Sequence, residues 1–222
     1  MNHRELQQEP RRKERKMPIR PEREYRMMPL MTPSAEKRFD SEYYVEGFAT
    51  TFDKPYVLYR YNDIDYKEVI HRNALDAADL SDVLFQYNHA GRVYARNRMK
   101  KGKAATLLLE AQKSGLFVAA DLGSTSESRK MYEDIDAGLI YQMSWSFIVG
   151  EDSYDRDTHT RTILKIKKVY DVSAVDLPAN PSTEISSRSW INGVIETEKQ
   201  ELLERQKQIQ RIKILTEVLK NA

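Results

Sequence analysis

Through the middle of the chain, apolar and polar residues alternate with the two-residue period of half-buried strands. YYVEGFATTF (43–52) is the first such run. VLFQYNHAG (83–91) reads as a short buried strand running into a loop. ATLLLEAQ (105–112) and GLFVAADL (115–122) read as two strands joined through Lys113, Ser114 and Gly115. In QMSWSFIVG (142–150), Met143, Trp145, Phe147 and Val149 fall on one face of a strand. Gln142, Ser144, Ser146 and Ile148 fall on the other. DSYDRDTHTR (152–161) predicts a polar hairpin loop and TILKIKKVYDVSAVDL (162–177) one long strand or two. PANP (178–181) ends it, because proline has no N–H to give to a ladder.

Helical spacing is confined to three places. Met131, Ile135 and Leu139 recur behind Ser124 or Thr125, which can cap a helix, and Gly138 lies near its end. EVIHRNAL leads into a short helix-like stretch over 73–80. From about residue 194 the chain is a strong helix former, with Leu202, Ile209, Ile212, Thr216 and Leu219 on a heptad-spaced seam interrupted at Arg205 and Thr216. This amphipathic helix is expected to dock against a partner or a second copy. Residues 1–40 carry charges of both signs, several prolines and few β-branched residues, so they predict a flexible, disordered arm. The expected organisation is an arm (1–40), a β-rich domain (41–193) and a C-terminal helix (194–222).

Composition narrows the function classes. The 222 residues allow one good-sized domain with tails, or two small ones, and 40% are apolar, enough for a core. Thirteen tyrosines suit a β-rich domain. A net charge of +2 argues against a globally basic nucleic-acid binder, although the cluster RRKERK (11–16) could meet phosphates or an acidic partner. The plainer reading of that cluster is a solvated arm. The absence of cysteine removes disulfides, thiolate metal sites and cysteine nucleophiles, and fits a reducing compartment. No apolar run approaches the roughly 20 residues needed to cross a bilayer, and the N-terminus lacks the apolar core of a secretory signal. A soluble cytoplasmic protein without membrane association is the expectation.

The candidate chemistry lies where strands end. Of four histidines, His3 falls in the arm, His159 in a polar loop and His71 before the helix-like stretch, all read as structural or surface residues. His89 ends a short apolar strand, a common place for catalytic groups. A serine needs a positioned base, and the base needs a group that holds its tautomer. Ser144, His89 and Asp171, an acid alternating with apolar neighbours in YDVSAV, can fill those roles; Ser146 shares Ser144's face and is the alternative nucleophile.

Four stretches, in this order, resemble the tailed-phage prohead (capsid maturation) protease family, which is similar to herpesvirus assemblin. They are VEGFATTFD (45–53), EVIHRNAL with VLFQYNHAG, GLIYQMSWSF (138–147), and VYDVSAVDLPANP (169–181), the most specific. The match covers roughly residues 43–190. The resemblance implies an α+β fold: a β-rich, barrel-like, assemblin-like domain with packed helices. It implies a serine endopeptidase with Ser144 as nucleophile, His89 as base and Asp171 as the acid, where many members carry Glu. No cofactor or metal is implied.

Its substrates would be scaffold protein, the scaffold-like N-terminal region of the major capsid protein, and itself, inside the assembling procapsid in the host cytoplasm. Assemblin-like relatives point to a homodimer. ArgValTyrAlaArg (92–96) departs from the family's usual turn after the histidine, and Ser146 replaces its frequent glycine. Oxyanion donors are to be sought in the loop after His89 and around Arg161. Two other readings stay open: an inactive scaffolding protein on the same fold, and nucleic-acid binding through the arm.

Overall fold

The computed structural model describes residues 23–31, 37–100, 102–176 and 181–220. Their elements are β1 (Glu24–Met31), β2 (Tyr44–Thr51), β3 (Tyr56–Tyr61), β4 (Ile64–Ile70), β5 (Leu84–Tyr87), β6 (Ala90–Arg96), β7 (Leu107–Gln112), β8 (Gly115–Asp121), α1 (Ser126–Asp136), β9 (Gln142–Asp155), β10 (Thr160–Val175) and α2 (Pro181–Lys220). The strands pair in the order β3-β4-β10-β9-β1-β2-β8-β7, with β5 and β6 off this path.

The architecture grows from the β9–β10 hairpin. β10 is long enough to take two parallel neighbours on one edge. β4 pairs along Thr160–Ile163 and β5 along Asp171–Ala174. Residues of β2, β5, β7, β8, β9 and β10 share the main core around Trp145, Phe147, Phe85 and Leu116, with smaller apolar clusters beside it. The ladder of the sheet stays open. Among the described residues β3 and β7 end its main path and β6 ends the β5 branch, and the expected barrel does not close. At the β3–β4 end the sheet is covered by α2 instead: Val194 and Ile195 pack with Tyr66 and Tyr154.

Thr125 caps α1, accepting the Ser128 N–H at 3.1 Å, and Gly138 leaves the helix end with φ 74°. Gly115 opens β8 where a Cβ would lie 1.9 Å from the Thr50 carbonyl oxygen, so only glycine fits there without rearrangement.

Several expectations change. Residues 24–31 are not part of a loose arm but the strand joining the two halves of the sheet, pairing β9 along Glu24–Pro29 and β2 at Leu30 and Met31. The stretch 73–80 is a series of turns rather than a helix. Its bonds are short-range, such as Ala74 N to His71 O, and the Ala74 carbonyl is taken by Ile166 N of β10 at 2.7 Å. The β9–β10 loop shrinks to 156–159, closed by Asp155, whose carboxylate accepts from Asp157 N and Thr158 Oγ1. The stretch 90–96 is β6, and α2 starts at Pro181 rather than near 194. RRKERK and His3 lie outside the described residues.

Candidate active site

The register of β9 on β10 sets four small polar residues on one face. Ser146 lies opposite Asp171 and Ser144 opposite Ser173, while Trp145 and Val172 between them point into the core. All four polar residues are buried. β5 runs beside β10 from Leu84, opposite Asp171, to Tyr87, opposite Ala174, and then turns back into β6.

That turn is two residues, Asn88 and His89, with φ of 48° and 59°, the left-handed pair that a type I′ hairpin requires. The sequence predicts a loop here; the tight turn instead throws the imidazole back over the end of β10. Left-handed non-glycine residues cost of order 1–3 kcal/mol each, so the turn needs anchors. Asn88 N–H donates to the Ala174 carbonyl at 3.0 Å, and Asp176 N–H reaches Asn88 Oδ1 at 3.4 Å. Tyr87 OH donates to Asp176 Oδ2 at 2.9 Å.

His89 Nε2 lies 2.6 Å from Ser144 Oγ and Nδ1 lies 2.5 Å from Asp171 Oδ1. A carboxylate only accepts, so with Asp171 ionised the Nδ1 carries the proton. Nε2 then turns its lone pair to the Ser144 hydroxyl. Ser173 Oγ donates to Asp171 Oδ1 at 2.8 Å, and Ser146 Oγ donates to Oδ2. Thus Ser144 is the serine in reach of His89, and Ser146 is bound to the acid. From β1, Tyr25 lies opposite Ser146, and its ring meets the imidazole at 4.6 Å between centroids and 70°. The His89 side chain is only 5% exposed.

Such an arrangement can take a proton from a hydroxyl as that oxygen attacks a carbonyl, and return it to a leaving group. Neither Ser173 nor Tyr25 is distinguished by a motif in the sequence. Ser173 was available from alternation alone, two residues beyond Asp171 on the same face. Tyr25 carries no local signal within its charged surroundings.

Among the described residues, the other two histidines stand apart from Asp171. His71 Nδ1 accepts from Asn73 N, and His159 Nδ1 meets Tyr154 OH at 3.0 Å. Arg161, whose surroundings are an expected place for oxyanion donors, sits ten residues from Asp171 along β10, roughly 30 Å for an extended strand. It belongs to a buried ionic network. Its guanidinium bonds Asp152 at 2.6 Å, Glu24 at 2.6 and 2.9 Å, and Glu68 at 3.2 Å.

Arg26 of β1 completes that network through Glu68 at 2.5 and 2.7 Å and Glu24 at 2.6 Å. Burial pushes the Glu24 carboxyl up, but Arg161 and Arg26 together outweigh it and hold it at about 2. Burial raises the Asp152 carboxyl, with Arg161 opposing. Buried charges persist only when paired in this way, so the network fastens β1 into the sheet and makes no direct contact with the triad. Among the described residues no cluster of three or more metal-ligating side chains occurs, and no helix is long and apolar enough to cross a membrane.

The family model described as caudovirus prohead serine protease matches residues 30–199. A solved structure, that of the bacteriophage T4 capsid assembly protease gp21, is similar with a TM-score of 0.44 and 14% identity, over 69% of this chain and 96% of that one. No curated protein matches.

Proposed function

The chain belongs to the caudovirus prohead serine protease family, and on that premise we propose that it is an endopeptidase of capsid maturation using Ser144, His89 and Asp171. The observation that carries this reading is the unbroken path from Ser144 Oγ through the imidazole to Asp171, at 2.6 and 2.5 Å. Ser144 Oγ attacks the scissile carbonyl carbon while His89 Nε2 takes its proton. Asp171 holds Nδ1–H and balances the imidazolium. The tetrahedral intermediate collapses, the C–N bond breaks, and Nε2 gives the proton to the departing amine. Water then attacks the acyl ester by the same steps, with His89 again base and then acid, and Ser144 is regenerated. No step calls for a metal or cofactor. Ser146, donating to Asp171, serves as a support for the acid and not as a second nucleophile.

The substrates in this reading are scaffold protein, the scaffold-like N-terminal region of the major capsid protein, and the chain itself, met inside the assembling procapsid in the host cytoplasm. Confinement among them raises effective concentration, so modest pocket affinity suffices. The outer part of α2 suits incorporation: Ile212, Ile214, Leu215, Val218 and Leu219 are between 60% and 78% exposed. In the proposal they pack on helical scaffold segments or a second copy. Deleting residues 196–222 and finding unchanged incorporation into proheads would remove that part of the reading.

The decisive test is co-expression with the capsid and scaffold proteins, wild type against Ser144→Ala, read by intact mass. Cleaved partners with wild type and full-length partners with the variant are expected. Cleavage that survives the substitution would transfer the role to Ser146 or end the protease reading. The inactive-scaffold alternative predicts full-length partners in both arms.

A further inference from the structure

Resting on that reading of Ser144 and His89, we propose that Tyr25 is a positioning residue for the base, so that β1 builds the active site as well as the sheet. His89 stands on the second left-handed residue of a two-residue turn. Its imidazole is held at both nitrogens, by Ser144 and Asp171. Two in-plane hydrogen bonds fix where the ring's edge points but leave it free to tilt about the line joining the nitrogens. The ring contact from Tyr25, 4.6 Å away at 70°, opposes that tilt and is of a favoured aromatic geometry.

Tyr25 is itself placed with precision by β1. Its neighbours Glu24 and Arg26 point to the opposite face and end in the buried network with Glu68 and Arg161. The main chain at Tyr25 is also held, since its carbonyl accepts from Arg26 Nη1 at 2.7 Å. The ring therefore stands on a clamped strand, opposite Ser146 on β9. During acylation His89 must receive the Ser144 proton and then present it to the leaving group, and a displaced ring serves neither step. Misplacement of a reacting group by about 1 Å can cost 10²-fold in rate.

The test uses the full chain with Tyr25→Phe, Tyr25→Leu and, as a control at the residue preceding β1, Arg23→Ala, which removes the contact of Arg23 with the Tyr170 ring but touches no side chain of the triad. Four quantities are read: the rate of Ser144 acylation by a fluorophosphonate probe, kcat and KM on the major capsid protein, and thermal stability. Tyr25→Phe keeps the ring and is expected to stay within about twofold of wild type. Tyr25→Leu is expected to lose roughly 10- to 100-fold in acylation rate and kcat with KM unchanged. Arg23→Ala is expected to keep wild-type rates.

A merely structural role would lower stability in Tyr25→Leu while the folded fraction acylated at the wild-type rate; that outcome overturns the proposal. Faster acylation in Tyr25→Leu also overturns it, by making the ring a cover over the site. Wild-type protein that the probe fails to label at Ser144 defeats instead the protease reading on which the proposal rests.

Discussion

Asp171→Asn tests the proposed relay at the point where hydrogen-bond logic is sharpest. The carboxylate accepts from three donors: His89 Nδ1 and Ser173 Oγ on one oxygen, and Ser146 Oγ on the other. An asparagine of the same shape can face His89 with its oxygen or its amide nitrogen. Both serine hydroxyls can turn round to accept instead of donate, so neither orientation is forbidden. With the nitrogen toward His89, Nδ1 must accept, the proton moves to Nε2, and Ser144 faces a donor instead of a base. With the oxygen toward His89 the tautomer is right, but the negative charge that balances the imidazolium is gone.

Loss of the orienting carboxylate costs a serine protease roughly 10⁴-fold in kcat, about 5.5 kcal/mol in transition-state stabilisation. Because the serines can re-pair, folding stability should change by less than about 1 kcal/mol. The assays are acylation by a fluorophosphonate, capsid-protein cleavage, thermal unfolding, and long-range ¹H–¹⁵N spectra of His89 for the tautomer. A rate loss under tenfold would refute the relay. A stability loss of several kcal/mol would show Asp171 to be a structural anchor.

Ser146→Ala takes one donor from the buried Asp171; a hydrogen bond to a charged group is worth about 1.5–3 kcal/mol, so kcat should fall by roughly tenfold or more while Ser144 still labels. Complete inactivity matching Ser144→Ala would reverse the assignment. Glu24, held at about 2 against the ordinary 4.5, contributes stability that is fully present above 4.5 and is lost as pH falls toward 2. Asp152, whose carboxyl burial raises, works in the opposite sense and softens that loss. The unfolding free energy measured from pH 7 to 2 should therefore decline below 4.5 in the wild type, and Glu24→Gln should be less stable at pH 7 with a flatter profile. Gly115→Ala must push a Cβ against the Thr50 carbonyl, 1.9 Å away, and should cost at least about 2 kcal/mol in denaturant unfolding.

What the sequence determined by itself was whatever depends on neighbours in the chain. Alternation put Ser144 and Ser146 on one face and Trp145 and Phe147 on the other, because successive side chains of a strand point to opposite sides. The same local logic placed the Thr125 cap, the β7–β8 pair and the β9 strand. His89, Ser144 and Asp171 stood out through residue chemistry and the resemblance of four stretches to one family.

Tertiary structure decided what depends on register and distant partners. Ser144 rather than Ser146 meets His89 because β5 and β9 flank β10 in one register, and a one-residue slip would invert every face. β1 could not be read from EYRMMPLM, since its charges look solvated until their partners are known: Glu68 is 42 residues from Arg26, and Arg161 is 137 from Glu24. The turns over 73–80 stand where a helix was expected because the Ala74 carbonyl accepts from Ile166 N of β10 instead of closing a helical bond. A strand that buries ions, and a segment whose carbonyls bond across the fold, owe their shape to groups far along the chain, and no local period records them.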